Sequence, residues 1–351
     1  MRRARPRLIS GSVIHMIALS KQTRRELSMV GHPQDPARHE QLQRLIRTCA
    51  LCGNRCGVDR SDAEAAGACG AGERAEVSSH GPHHGEEPPI SGIRGCGNIF
   101  FRCCNLSCVF CQNWQISQDR KVTAQALDPV ELADMMLRLQ DEGVHTVGLV
   151  SPTPHLPTLV PALESARARG LRIPVVYNTS AYETHEALQV LDGLVDVYLP
   201  DLKYGTEKSA RIYSGISDYV ETSQAAVREM HRQVGHLRLG RDGIATGGLL
   251  VRHLVLPGDR ADTTVVLDWL ARTFGPDIHL SLMSQYNPSY MVRQGFFPEL
   301  DHPLPPGEYQ FAKDFAAGLG LVHVYIQEEE SRSTGNPDFR KRDPFDWCDT
   351  T

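Results

Sequence analysis

FFRCCNLSCVFCQNWQIS, residues 100–117, places four of the chain's ten cysteines within nine positions, two of them adjacent. It overlaps a short apolar run, NIFF (98–101), that reads as a strand. Cys104, Cys108 and Cys111 then follow with the spacing C-x3-C-x2-C. Three thiolates on one short loop can ligate three irons of a cubane cluster and leave the fourth iron without a protein ligand. An open iron binds substrate or cofactor, as a catalytic zinc does through its open position, whereas a structural zinc site wants four ligands. A zinc knuckle is the competing reading of the spacing alone.

The rest of the cysteines bear on that choice. Nine of the ten lie between Cys49 and Cys111, and the long remainder holds only Cys348. A disulfide framework would not crowd in front of a large cysteine-poor region, and clustered cysteines in a reducing compartment more often bind metal. The arginine-rich first thirty residues lack the clean apolar core and cleavage site of a secretory signal, so a cytoplasmic location is expected. A net charge of −5 argues against a general nucleic-acid binder. No window approaches the twenty or so apolar residues of a membrane span, so no membrane partner is expected.

Downstream of residue 98 the pattern is α/β. Strands are expected at 98–101, 145–150, 173–178, 195–200, 249–256, 278–283 and 321–326. Helices are expected at 156–169, 183–192, 218–234, 261–274 and 307–318. A further one starts at Pro129, where Leu132, Met135, Met136 and Leu139 form one apolar stripe behind the N-cap Asp128. Near-continuous apolar strands alternating with helices imply a parallel sheet covered by helices. In such sheets the chemistry gathers at the C-terminal strand ends. GPHHGEEPPISGIRGCG (81–97) reads as an irregular connector.

CNLSCVFC (104–111) resembles the cluster loop of the radical S-adenosylmethionine (SAM) superfamily. With Phe100–Phe101, Gln112–Asn113, HHGEEPPISG (83–92), VYNTSAYE (176–183), PDLKY (200–204), YSGISDYVETS (213–223), VRHLVLPG (251–258) and LSLMSQYNP (280–288), it is similar to the pyruvate formate-lyase activating enzymes. It more closely resembles their branch with an extra N-terminal four-cysteine segment. The resemblance implies a partial parallel (β/α)6-type TIM-like barrel with an N-terminal cysteine-rich metal-binding extension. The divisions expected are a disordered basic arm (1–40), the extension (41–97), the barrel (98–330) and a tail (331–351).

The resemblance also implies the cofactors and site. A 4Fe–4S cluster on Cys104, Cys108 and Cys111 would cleave SAM, after one-electron reduction, to a 5′-deoxyadenosyl radical that abstracts hydrogen. Phe110 would pack near the adenine, with Asn113 on the cofactor side. Asn178, Thr179 and Ser180, after the third strand, would face the ribose and the methionine carboxylate. Ser151, Thr153 and His155 stand where these enzymes usually carry a Gly-Gly-Glu type motif. Lys203, Asp201 and Arg252 are the expected catalytic set, Lys203 pairing with a carboxylate and Asp201 holding it. For Arg252 a bidentate carboxylate contact and a structural tie between strand ends are both open. Cys103 stands where glycine is usual, and like Cys96 it reads as a buried thiol or an alternative ligand.

Upstream, Cys49, Cys52, Cys56 and Cys69 make a four-thiol set for which zinc and a second iron–sulfur cluster both fit. The partners implied are an electron donor such as flavodoxin or ferredoxin, and a glycyl-radical or other protein substrate. A small-molecule substrate and a non-catalytic zinc or iron–sulfur partner-binding protein are the alternatives.

Overall fold

A computed structural model describes residues 35–62, 67–119, 121–327, 336–341 and 343–345. Residues 1–34 of the expected arm, and Cys348 of the expected tail, lie outside these. Among the described residues the first element is a helix, Pro36–Arg47, which starts inside the stretch expected to be an arm. The Asp35 carboxylate caps it, accepting from the Ala37 and Arg38 N–H groups at 3.0 and 3.4 Å.

One sheet carries ten strands: β1 (Ala75–His83), β2 (Cys96–Phe101), β3 (Gln125–Leu127), β4 (Thr146–Val150), β5 (Val175–Thr179), β6 (Val197–Pro200), β7 (Arg238–Leu239), β8 (Ala245–Leu254), β9 (His279–Met283) and β10 (His323–Ile326). Their spatial order is β10-β9-β8-β6-β5-β4-β2-β1-β3, with β7 on β8. The seven strands expected from sequence (β2, β4, β5, β6, β8, β9 and β10) all run parallel. That is one more than a six-stranded barrel. The end strands β10 and β3 do not pair, so the sheet is an open arc.

β4 and β9 are buried along their whole length because helices cover one face and the hollow of the arc the other. The helix Pro129–Asp141 has the expected stripe and a full capping box. Asp128 accepts from Val130 N and Glu131 N at 3.0 Å each, and Glu131 accepts from Asp128 N at 2.9 Å. Helices Leu156–Ala168, Tyr219–Val234, Thr263–Phe274 and Pro306–Gly318 stand close to their expected bounds. The fifth is shorter, His185–Gln189, starting at the capping Thr184.

Several elements were not expected, among them the short strands β3 and β7 and the helix Glu207–Ser214. β1 was not expected either; it pairs antiparallel with β2 and extends to His83 within the supposed connector. The connector then makes a helical turn, Pro88–Ser91, that seats Ile90 without any exposure at the N-terminal end of the parallel strands. There Ile90 packs with Cys96, Val176, Val197, Leu199, Ala245 and Leu250, closing the floor of the hollow. Among the described residues no helix is long and apolar enough to cross a membrane.

Candidate active site

Above that floor, at the C-terminal end of β2, the chain turns at Cys103 with φ 69°. This left-handed conformation is one that glycine adopts more easily, which gives the expected glycine its physical sense. Cys103 is fully buried, and its sulfur lies 4.0 Å from Glu76 Oε2 on β1. Cys96 sits at the floor, 3.1 Å from Asn98 Oδ1.

Cys104, Cys108 and Cys111 present their sulfurs together. Burial pushes the Cys104 thiol up, and the neighbouring charges of Cys108 and Cys111 add to that. Burial and then Cys108 do the same to Cys111. Each sulfur has a hydrogen-bonding neighbour: Leu106 N at 3.4 Å from Cys104, Ser214 Oγ at 3.0 Å from Cys108, and Ser117 Oγ at 3.3 Å from Cys111, a hydroxyl able to donate to a thiolate. Ser117 comes back over Cys111 because the chain winds there into a π-helix, Gln115–Asp119. Its approach is set by the Asn113 carbonyl, which accepts from Ile116 N and Ser117 N.

Donors around the sulfurs suit thiolates, and burial without a metal disfavours them. A bound metal removes that penalty. Three thiolates on one short loop suit an iron–sulfur cluster, whose irons take cysteine sulfur as ligand.

Around them lie the other expected residues. Phe110 is buried edge-on to Tyr204 and Tyr286, with ring centroids 6.4 and 6.1 Å away. Lys203 Nζ is 2.8 Å from Asp201 Oδ2. Burial alone would lower the Lys203 ammonium, but Asp201 and then Cys108 outweigh it and hold the group above its ordinary value. Asp201 Oδ1 is buried and has no hydrogen-bond partner among the described residues. Ser180 Oγ donates to Asn105 Oδ1 (3.0 Å) in the cysteine loop, and Asn178 shares the inward face of Val176 on β5.

Other residues are committed elsewhere. Thr153 and Thr179 both donate to Glu183 Oε1, the first at 2.5 Å, and Tyr177 OH donates to Thr153 at 3.0 Å. Thr179 lies on the opposite face of β5 from Asn178, so this closed network backs the sheet instead of lining the hollow. Ser151 is half-buried in a left-handed turn, φ 57°, after β4. His155 is wholly buried, stacked on Phe101 and 2.5 Å from the Arg102 carbonyl. Burial pushes it down to about 4, which makes it a neutral strut.

Arg252 points into the hollow, but its partners are internal. Its Nε and one terminal nitrogen bind Glu87 at 2.7 and 2.6 Å, and the same terminal nitrogen also binds Glu86. Glu86 in turn accepts from Asn98 Nδ2 at 2.6 Å. Burial alone would raise Glu86, yet Arg252 holds it below the usual carboxylate range. Arg252 thus joins β8 to the connector through its Nε and one terminal nitrogen.

The four upstream cysteines fold over this end of the sheet. Cys52 pairs with Glu183 in an isolated bridge, and Asn54 Nδ2 donates to the Asn105 carbonyl at 2.7 Å. Burial, then the charges of Cys69 and Cys49, push Cys52 up to about 12. Burial would also raise Cys56, but the backbone N–H groups of Ala68 and Val58 bring it below its ordinary value. A Cβ on Gly67 would stand 3.2 Å from Cys56 Sγ and 3.6 Å from Cys69 Sγ, so those sulfurs share a hollow that any side chain would fill. Buried Arg60 reaches within 4.0 Å of Cys49 Sγ and donates to the Pro154 carbonyl at 2.6 Å. Sequence reasoning missed Arg60, Asn105, Ser117 and Ser214. Asn105 lies in the CNLSCVFC motif and Ser214 in YSGISDYVETS, but neither was given a role.

Residues 98–240 match the model of the Radical SAM superfamily. The chain is 29 % identical over 294 residues to an uncharacterized protein of Methanocaldococcus jannaschii, covering 82 % of this chain and 79 % of that one. Among solved structures it is similar to SuiB of Streptococcus suis bound to S-adenosylmethionine (TM-score 0.45, 11 % identity, 65 % of this chain and 48 % of that one). It is also similar to the FeFe-hydrogenase maturase HydG of Carboxydothermus hydrogenoformans (TM-score 0.40, 16 % identity, 64 % and 56 %). The chain spans about half the length of these structures.

Proposed function

We propose that this chain is a radical SAM enzyme whose 4Fe–4S cluster is held by Cys104, Cys108 and Cys111. The observation that carries the reading is the trio of thiols at the C-terminal strand ends, each sulfur with its own hydrogen-bonding neighbour, inside the matched residues. Bound there, the cluster and SAM would supply a 5′-deoxyadenosyl radical for hydrogen abstraction. The chain's own residues bind and orient. Lys203, held by Asp201, offers a cation to a carboxylate. The unpartnered Asp201 Oδ1 offers an acceptor to an ammonium, and Phe110, between two tyrosines, offers an apolar wall.

The acceptor of the radical is proposed to be a protein, as in the activating enzymes that the sequence resembles. In support, the chain's own residues Phe339 and Phe345 already lie at the mouth, on Phe100 at centroid distances of 5.5 and 5.1 Å. The mouth thus admits a polypeptide strand. A low-potential donor such as flavodoxin or ferredoxin would supply the electron. Cys49, Cys52, Cys56 and Cys69 are proposed as a second metal centre, with Arg60 beside Cys49.

The test is anaerobic. The protein is reconstituted with iron and sulfide, reduced, given SAM and assayed for 5′-deoxyadenosine beside a variant with Cys104, Cys108 and Cys111 all changed to Ala. Deoxyadenosine from the wild type alone is expected. Its absence from protein shown to carry a reducible cluster would sink the reading.

A further inference from the structure

The stretch YSGISDYVETS supplies Ser214, the hydroxyl that reaches one of the three thiols. The helix Glu207–Ser214 ends at Gly215, whose φ of 71° lets its N–H fold back on the Ala210 and Arg211 carbonyls. Ser214, the last helical residue, is thereby left facing the cysteine loop, and the Tyr213 carbonyl next to it accepts from Val109 N at 2.9 Å. Ser214 Oγ lies 3.0 Å from Cys108 Sγ. Behind it, Tyr204 OH lies 2.6 Å from Ser214 Oγ. Both residues are 2 % exposed. A hydroxyl that gives its proton to sulfur can only accept from the second hydroxyl, so the donation runs from Tyr204 to Ser214 to Cys108. The contacts printed for the other two sulfurs are longer: Cys104 lies 3.4 Å from Leu106 N and 3.7 Å from Asn105 Oδ1, and Cys111 lies 3.3 Å from Ser117 Oγ.

We infer that Tyr204 and Ser214 form a two-hydroxyl relay that tunes the reduction potential of the cluster on Cys104, Cys108 and Cys111, an inference that rests on the cluster reading above. Reduction adds one electron, taken from a low-potential one-electron donor, and no atom moves. The added negative charge is shared with the cysteine sulfurs, so a hydrogen bond to sulfur stabilises the reduced state more than the oxidised one and raises the potential. Donation by Tyr204 polarises the Ser214 hydroxyl and strengthens its bond, and a buried, water-poor setting keeps that effect from being screened. Ser214 and Tyr204 are positioning residues here, not catalytic ones.

The experiment is a potentiometric titration, followed by EPR, of the reconstituted full chain without SAM. It compares the wild type with Ser214→Ala, Ser214→Thr and Tyr204→Phe, each with iron and sulfide counted. Ser214→Ala is expected to lower the reduced-to-oxidised ratio about tenfold at a given applied potential, a shift of about 59 mV for one electron. Tyr204→Phe should shift it the same way by less, and Ser214→Thr should return it toward the wild type. If Ser214→Ala loses its cluster, Tyr204→Phe, which keeps the serine and the aromatic ring, decides. A wild-type potential in Tyr204→Phe and in any Ser214→Ala protein that holds a cluster overturns the inference while the cluster reading stands. A wild type that takes up no reducible cluster overturns both.

Discussion

Replacing Arg252 by methionine isolates the ion cluster in the hollow of the sheet. Methionine keeps the apolar, unbranched stem of arginine and carries no charge. The variant would leave Glu86 and Glu87 side by side, with side chains only 10 % and 7 % exposed. Removing one partner from a buried, paired set costs about 3–5 kcal/mol, because the remaining charge has neither water nor counter-ion. In a domain of this size that is a fall in melting temperature on the order of 10 °C. The pH dependence gives a sharper signature. In the wild type Glu86 sits below its ordinary value of 4.5, so its contribution is complete above that value and lost as the pH falls below it. Without Arg252 the burial that opposes ionisation prevails and Glu86 moves up instead. The variant's deficit should then shrink between pH 7.5 and 5 as the carboxyl takes up its proton. Urea unfolding of the reconstituted protein under nitrogen at both pH values measures this. The triple variant Glu86→Gln, Glu87→Gln, Arg252→Met, with no buried charge left, should recover most of the loss. A deficit under about 1 kcal/mol at pH 7.5, or one that grows on acidification, would refute the reasoning.

Two further perturbations test the frame around the site. In Gly148→Ala the new methyl would stand 2.0 Å from Asn98 Oδ1 and 2.7 Å from Cys96 Sγ. A destabilisation of about 1–3 kcal/mol is expected from this overpacking, visible in the melting temperature; no change would mean that the inner face is looser than described. His155, held down to about 4 from an ordinary 6.5, is protonated in the unfolded chain before the folded one. Native stability should thus fall between pH 6.5 and 4, by on the order of 3 kcal/mol at its full extent. His155→Phe should flatten that slope while keeping the stacking on Phe101. Equal slopes in the two proteins would show that another group is responsible.

How much of this was legible beforehand varies with the range of the interaction. The parallel strands were readable because burial on both faces writes itself as unbroken Val and Leu, and the helix behind Asp128 because its stripe and capping box are local. β1 was not readable. AEVSSHGPH carries a Gly and a Pro, and only its antiparallel partners β2 and β3 make it a strand. The helix Glu207–Ser214 was missed because it is barely two turns long, with few apolar residues to mark a face. Cys103 and Ser151, both left-handed without being glycine, explain in conformational terms two departures that the sequence showed but did not account for.

By itself, then, the sequence determined the α/β alternation and the C-x3-C-x2-C loop after a strand, since strand, helix and ligand spacing are all set within a few neighbours along the chain. It also placed a guanidinium inside the hollow at Arg252. The tertiary structure alone decided what that guanidinium holds, two carboxylates 165 and 166 positions away. It likewise set the hydroxyl of Ser214, 106 positions from Cys108, against the sulfur. Such contacts depend on how far the sheet curls and which strand ends meet, and the arc is set by the packing of the helices on its outer face, which no local pattern specifies.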